Sequence, residues 1–540
     1  MNSKLIRNFL FGLLVLGYIY YGVRYIQESS FHIGGKTYYV LFDDAMISMR
    51  YAYNLAHGLG PVWNAGERVE GFTNPLWVGY MAIFHLFPIP ANTISLYIQL
   101  SGLVFMTATL FFVRWITEEF TDDLLTMLAA VTFTAFYIPL NWWALLGMEG
   151  SVLVLMLTAA VYILLRTAPS RFSAWTYILL AVMTLVRFDM VVPYLVILGV
   201  MFFVQPQFRK QHLLWGVGLL VLAMGGQTLA RYWYYGQWLP NTYYLKIEGF
   251  PLVLRIFRGL YVLVHLAYYS NWALFLLPLA LFFFRRDWKV VLLTLLFAGQ
   301  IAYSTYVGGD AWEHKGGANR YISIAMPFFF IGLAWVLDEI RRKAAAGFGS
   351  GNVTRYASHV VFLAVFIMSF LNINALAGEW KSIERLALVR KSIFIAGNDQ
   401  NLATALALQE TTKPGASIAV VGAGAIPYFL PDHYAIDLLG KTDPVIAHGP
   451  VRTPMSIDDV RYLQPGYTNY MRPGHMKWNY AHSIGELKPD VIVAIWEGTS
   501  AEAQPYLDKD YVYALIGEKI KVYLRKDSPN IYWDKVIIKD

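Results

Sequence analysis

Two adjacent acids carry the most suggestive chemistry in this chain. Asp43 and Asp44 stand in FDDAMISMRYAYNL, shortly after the first long apolar run. Neighbouring carboxylates close to lipid are costly unless they are paired, solvated or used. One reading makes Asp44 the N-cap of the helical pattern AMISMRYAYNLAHG; the other makes the pair a source of general base. Segments assigned below to the same face add Glu67, Arg68 and Glu70, Glu149, Arg187 and Asp189, Lys246, and Asp310, Glu313, His314, Lys315 and Arg320. Carboxylates that accept a proton, beside cations that hold a phosphate, suit transfer of a phosphate-activated sugar to a hydroxyl. For each residue taken alone, a surface ion pair explains the charge equally well. Arg187 with Asp189 stands apart, because the two interrupt an apolar run at membrane depth.

The segment VGGDAWEHKGGANR (307–320) brackets Asp310, Trp312, Glu313 and His314 with glycine pairs. Glycines admit close backbone approach and an indole stacks on a sugar ring. Asp310, Glu313 and His314 leave a divalent ion open without matching a strong ligand spacing, and no other cofactor is required. The run Gly422-Ala423-Gly424-Ala425-Ile426-Pro427 follows a strand-like stretch and looks like a dinucleotide turn, but Pro427 replaces the third glycine. Neither a G-x-x-x-x-G-K-[ST] loop, a G-x-S-x-G elbow nor an H-E-x-x-H helix occurs, which disfavours a nucleotide-driven pump.

The elements that must position these residues are mostly membrane helices. Of 540 residues 57% are hydrophobic and 15% charged, where a soluble domain is about 25% charged. Apolar runs fall near 9–26, 94–113, 124–143, 151–165, 174–186, 190–204, 213–230, 268–284, 290–306, 321–338 and 356–376, which predicts a polytopic α-helical membrane protein of about eleven spans. The run 76–90, with His85, Pro88 and Pro90, reads as a juxtamembrane helix, since crossing there would scatter the basic loops over both faces. Kept to one face, those loops put the N-terminus in the cytoplasm. The long loop 27–75, the short turn at Gly147 to Gly150, the loops 231–267 and 307–320, and everything after about 377 then lie outside. Residues 377–540 change composition to strand-length stretches such as ASIAVVGA and PDVIVAIW between turns, predicting a soluble α/β domain after a membrane domain 1–376. The net charge of +7 fits loop orientation rather than nucleic acid, and zero cysteines exclude disulfides and thiolate chemistry.

An acidic pair soon after the first span, an outer loop ending in a juxtamembrane helix, many spans and an outer C-terminal domain resemble the GT-C glycosyltransferases. More closely, DDAMISMRYAYNL, NAGERVEGFTNPLW, LGMEG, VRFD, YGQWLPNTYYLK, VGGD, GAIPYF, IDLLGKTDPVIA and RPGHMKW resemble, in order, the branch containing the arabinofuranosyltransferase AftB and a type IV pilin arabinosyltransferase. Phe188 and Gly150 depart from that branch's pattern. The resemblance implies that Asp43 and Asp44 are catalytic, one as base, and that Arg50, Arg68, Lys246, Arg320 and His475 contact phosphate and sugar, with Lys477 beside His475 in the outer domain. Glu70, Glu149, Arg187, Asp310 and His314 join that donor-binding set from their loops. The implied donor is decaprenyl-phosphate arabinofuranose or a related polyprenyl-phosphate sugar. The implied acceptor is a glycan or pilin-like glycoprotein outside a bacterial inner membrane. A flippase of lipid-linked sugar and a glycan ligase using a polyprenyl-diphosphate donor are the alternatives.

Overall fold

Eight helices among the described residues are long and apolar enough to cross a membrane, and a ninth forms if the bent pair Leu124–Ala135 and Ile138–Leu145, 51° apart, is one span. The computed structural model describes residues 3–313, 317–347, 352–376, 379–395, 397–452, 471–517 and 519–539. Shorter apolar helices Ala174–Val186, Phe188–Val204 and Trp272–Phe284 complete the helical set. The predicted break between the first two of these falls at Arg187, whose backbone is extended (φ −155°, ψ 129°). Three of the about eleven predicted spans, 174–186, 190–204 and 268–284, are thus shorter helices, and one predicted loop also needs correction. Residues 231–267 are not a loop throughout, because Leu252–Tyr269 is a helix of spanning length, and Ser270–Asn271 separates it from Trp272–Phe284. Arg255 and Arg258 are buried on its inner side while Leu252, Val253, Phe257, Leu260, Val264 and Tyr268 are exposed. Two inward arginines interrupt the apolar run that a linear reading looks for, although the face presented outward is continuous.

The chain divides into two compact units, which do not follow a single boundary near residue 376. The first comprises Met1–Glu28, Gln99–Gly226 and Arg255–Lys391. Its centre is Met326–Gly347, packed against Leu124–Ala135, Trp288–Val307 and Asn352–Asn374. Phe328, Phe330 and Trp335 on that helix are almost fully buried, so large rings rather than polar contacts fill the bundle. Small residues set the closest crossings. A Cβ on Gly259 would collide with the backbone of Thr305, so Leu252–Tyr269 and Trp288–Val307 touch main chain to side-chain-free main chain.

The second unit comprises Ser29–Ile98, Gln227–Leu254 and Ser392–Asp540. The first outer loop therefore folds with the C-terminal domain, and Asn398 ties them by donating from Nδ2 to the Leu41 carbonyl at 2.7 Å. A six-stranded mixed sheet organises this unit, in the spatial order Tyr434–Asp437, Ser417–Val420, Val491–Ile492, Ile520–Arg525, Tyr511–Ile516, Val536–Ile538. The first three strands are parallel and the last three pair antiparallel. Ser417–Val420 lies between the two parallel strands that follow it in sequence, so the chain order reverses there. That reversal opens a crevice at the carboxyl ends of parallel strands. Ala419, Ile436, Tyr480, Ile492 and Leu507 form the core beneath it.

Gly259→Val should lower the stability of the detergent-solubilised protein by about 1–3 kcal/mol or more, read as a drop in Tm. An unchanged Tm would show that the two helices do not meet at this glycine.

Candidate active site

Asp43 and Asp44 occupy the first turn of the helix Asp43–Ala56, where the exposed N–H groups and helix dipole favour negative charge. This helix packs against Pro75–His85 and against Ala425–Phe429. Asp43 Oδ1 accepts the backbone N–H of Ala425 at 2.9 Å. Gly424 explains itself at this contact. A Cβ on Gly424 would overlap the Asp43 carbonyl, and one on Gly422 would stand 3.5 Å from Asp43 Oδ2. The turn that resembles a dinucleotide loop is thus filled by the chain's own acid.

Asp44 is held differently. Lys441 Nζ lies 2.7 Å from Asp44 Oδ1. Asp437, at the end of its strand, accepts the N–H groups of Leu439 and Thr442 at 2.9 Å each, and Gly440 takes φ +79° between them. The resulting turn aims Lys441 back at the acids. Asn241 clamps it from another segment, its Nδ2 donating to the carbonyls of Gly440 at 2.9 Å and Lys441 at 3.0 Å.

Burial raises the Asp43 pKa, while the Lys441 charge and the Ala425 N–H pull it down and Asp44 pushes it up. Burial opposes the charge on Lys441, but Asp44 and Asp43 hold its pKa above the ordinary lysine value. His475 completes the group. Burial first, then the Lys441 charge, push its pKa down to about 3, with Lys246 acting the same way, so the imidazole is neutral at physiological pH. The stem of Lys246 runs past Gly474, where a Cβ would lie 3.0 Å from its Cε. Asp43, Asp44, Lys246 and His475 therefore gather with Lys441, which sequence reasoning quoted within IDLLGKTDPVIA but did not single out.

Four other candidates in this unit are placed elsewhere. Arg50 is buried, its guanidinium donating to the carbonyls of Trp63 at 2.7 Å, Leu430 at 3.2 Å, His433 at 2.9 Å and Pro427, and to Asn64 Oδ1 at 3.2 Å. It joins the first outer loop to the C-terminal domain. Glu70 is buried in an ion pair with Arg231. Arg68 is exposed, stacked 4.7 Å above the Tyr234 ring. Lys477 is buried and bonded to the carbonyls of Tyr244 at 3.0 Å and Ala447 at 2.7 Å.

The first unit holds the remaining candidates in ion pairs. Arg187 forks onto Asp189 at 2.5 and 2.8 Å and reaches Glu149 at 3.1 Å. Arg320 meets Asp310 at 2.8 Å, and Arg258, which sequence reasoning overlooked, meets Glu313. Arg187 and Arg320 both lie over the Tyr321 ring, at 5.5 and 5.7 Å. Burial lifts the Glu313 pKa to about 7 against the pull of Arg258. His314 and Lys315 lie outside the described residues. The two described carboxylates offered to a divalent ion are thus matched to arginines, and no group of three metal-ligating side chains occurs among the described residues.

Comparison with known proteins finds a likeness of fold. The chain superposes on ArnT from Cupriavidus metallidurans bound to undecaprenyl phosphate with a TM-score of 0.54 and 11% identity, over 97% of this chain and 98% of that one. The Archaeoglobus fulgidus oligosaccharyltransferase tethered to an acceptor peptide superposes with a TM-score of 0.51 and 12% identity, over 98% of this chain and 75% of that one. Residues 391–530 match a family described as a domain of unknown function, DUF8728. No curated protein matches. At these identities the likeness carries the fold alone: the chain has the fold of those two proteins, with many helices of membrane-crossing length and a C-terminal strand-containing domain.

Arg50→Met should cost about 3 kcal/mol or more, because it strips the donors from several buried carbonyls. Thermal unfolding checks this; unchanged stability with weakened donor binding would make Arg50 a ligand contact instead.

Proposed function

We propose that the chain is a membrane glycosyltransferase that moves a sugar from a polyprenyl-phosphate donor to a glycan or pilin-like glycoprotein acceptor. The observation that carries this reading is the Asp43, Asp44 and Lys441 group, set in a GT-C fold. Asp43 is the base. Its carboxylate is held by the backbone N–H groups of Ala425 and Gly424 rather than by a direct ion pair, and burial raises its proton affinity. Asp44 stays ionised against Lys441 and fixes that cation. An acceptor hydroxyl gives its proton to Asp43 as its oxygen bonds to the anomeric carbon. The bond from that carbon to the phosphate oxygen breaks, and the polyprenyl phosphate leaves with the electron pair. Lys246 and Lys441 supply positive charge for the departing phosphate.

Arabinofuranose is the first choice of sugar, supported by the blocks that resemble the AftB branch. The ArnT structure holds undecaprenyl phosphate and the oligosaccharyltransferase structure an acceptor peptide, which supports a lipid-phosphate donor and a polymeric acceptor here. The basic loops support a bacterial inner-membrane location, with the N-terminus cytoplasmic and the unit bearing Asp43 on the outer face.

Purified protein should transfer labelled arabinose from synthetic polyprenyl-phosphate arabinofuranose, and Asp43→Asn should reduce transfer by about 10²–10⁴-fold without loss of folded protein. Full activity in both Asp43→Asn and Asp44→Asn would sink the assignment.

Asp43 works deprotonated, so activity falls as pH drops through its pKa, and the acid limb should lie above the ordinary aspartate value of about 3.9. Lys441→Gln removes the charge that lowers this pKa, so the limb should move further up in pH. A limb that stays in place while kcat falls would make Lys441 structural only.

A further inference from the structure

The third parallel strand, Val491–Ile492, runs at its carboxyl end into a cleft of about 600 Å³ that the reaction above does not use. Trp478 and Trp496 line it together with Arg472, His475, Glu497 and Glu502. Both indoles are half-buried and held in place. Trp478 packs on the core of the sheet and donates its indole N–H to Glu502 at 3.1 Å. Trp496 is fixed through its backbone: its N–H donates to the Tyr480 hydroxyl at 3.3 Å and its carbonyl accepts the Thr499 hydroxyl at 2.8 Å. The His475 ring stacks on Trp496 at 5.3 Å and 29°.

Rigid aromatic faces pack against the C–H surface of a sugar at little entropic cost, and carboxylates and guanidinium groups at the rim bond its hydroxyls. Arg472 stands 3.6 Å from Glu497, and Arg452 and Glu502 add one charge of each sign to the lining, so the formal charges balance and no strong field selects an anion. These features fit a neutral, hydroxyl-rich ligand and disfavour a phosphate. The location adds direction. The adjacent strand Ser417–Val420 ends at the turn that receives Asp43, and the strand beyond it, Tyr434–Asp437, ends at the turn that carries Lys441. His475 forms the inner wall of the cleft and feels the charges of Lys441, Asp44 and Lys246.

We propose that this cleft binds a neutral oligosaccharide, the acceptor glycan of the transferase, and guides its terminal hydroxyl toward Asp43. The proposal rests on the transferase reading for the ligand's role, and on the cleft itself for the ligand's chemistry.

The test titrates the full-length protein with arabinofuranose, galactose and mannose hexasaccharides and reads binding by calorimetry and by quenching of tryptophan fluorescence. It is run in the Asp43→Asn background so that no turnover intervenes. At least one hexasaccharide should bind, with affinity falling tenfold or more in Trp496→Ala and Trp478→Ala and largely kept in Trp496→Phe, which retains a stacking ring. Absence of binding by all three sugars, or equal affinity in folded Trp496→Ala, would overturn the proposal. Saccharide binding measured here is independent of whether Asp43→Asn abolishes transfer, so the failure of either idea is visible without the other.

Discussion

Two carboxylates on consecutive residues repel each other, and taking both out of bulk water adds a desolvation cost unless positive charge is brought to them. In this chain the charge comes from a lysine 397 residues away, Lys441 on Asp44. Much of the second unit is arranged around that delivery. Asp437 shapes the turn, Asn241 holds its carbonyls, and Gly71 leaves room for it, since a Cβ there would meet Lys441 O and the Tyr51 hydroxyl at 2.9 Å. Arg50 performs the matching task at the other end of the helix's first turns, binding carbonyls from both the loop and the C-terminal domain. Neither contact survives if the first outer loop and residues 392–539 fold apart, which is why they form one compact unit.

The sheet supplies the place where this can happen. In open α/β sheets, ligands collect where chain order reverses between parallel strands, because the two connections diverge and leave a crevice. Here the reversal lies at Ser417–Val420, and the glycine turn that follows it offers a free N–H from Ala425. In a nucleotide-binding protein such a turn receives phosphate. This chain inserts Asp43 instead, and Gly424 is required because the acid's own backbone approaches too closely for a side chain. A turn that reads as a cofactor site in the sequence holds the chain's own acid in the structure.

The fold was legible where the signal is local. Long apolar runs give the spans, and ASIAVVGA becomes the strand Ser417–Val420 at the reversal. The helix Leu252–Tyr269 was not legible, since its arginines point inward and break the run without breaking the helix. Asp43 and Asp44 stood out by adjacency and by resemblance, and Lys246 and His475 by resemblance. Lys441 did not stand out, because an ion pair across 397 residues leaves no spacing to read. Arg50 and Glu70 show the converse: a charged residue in a functional-looking block can serve carbonyls or a partner arginine, and only its surroundings distinguish the two uses.

A lysine in this position also has a chemical consequence for the proposed transfer. An ammonium balances Asp44 and leaves Asp43 with backbone N–H groups and the field of its neighbours, so Asp43 can accept a proton without giving up an ion-pair partner. When it does, the group of two aspartates, two lysines and a neutral His475 gains positive charge. That gain coincides with the growth of negative charge on the leaving phosphate, so proton uptake and departure support each other electrostatically. A divalent ion bound by both carboxylates would work against this coupling, because it would lower the proton affinity of the base it held. In the proposed transfer, pairing one acid with Lys441 and leaving the other to backbone N–H groups is the feature that lets the pair act as a base.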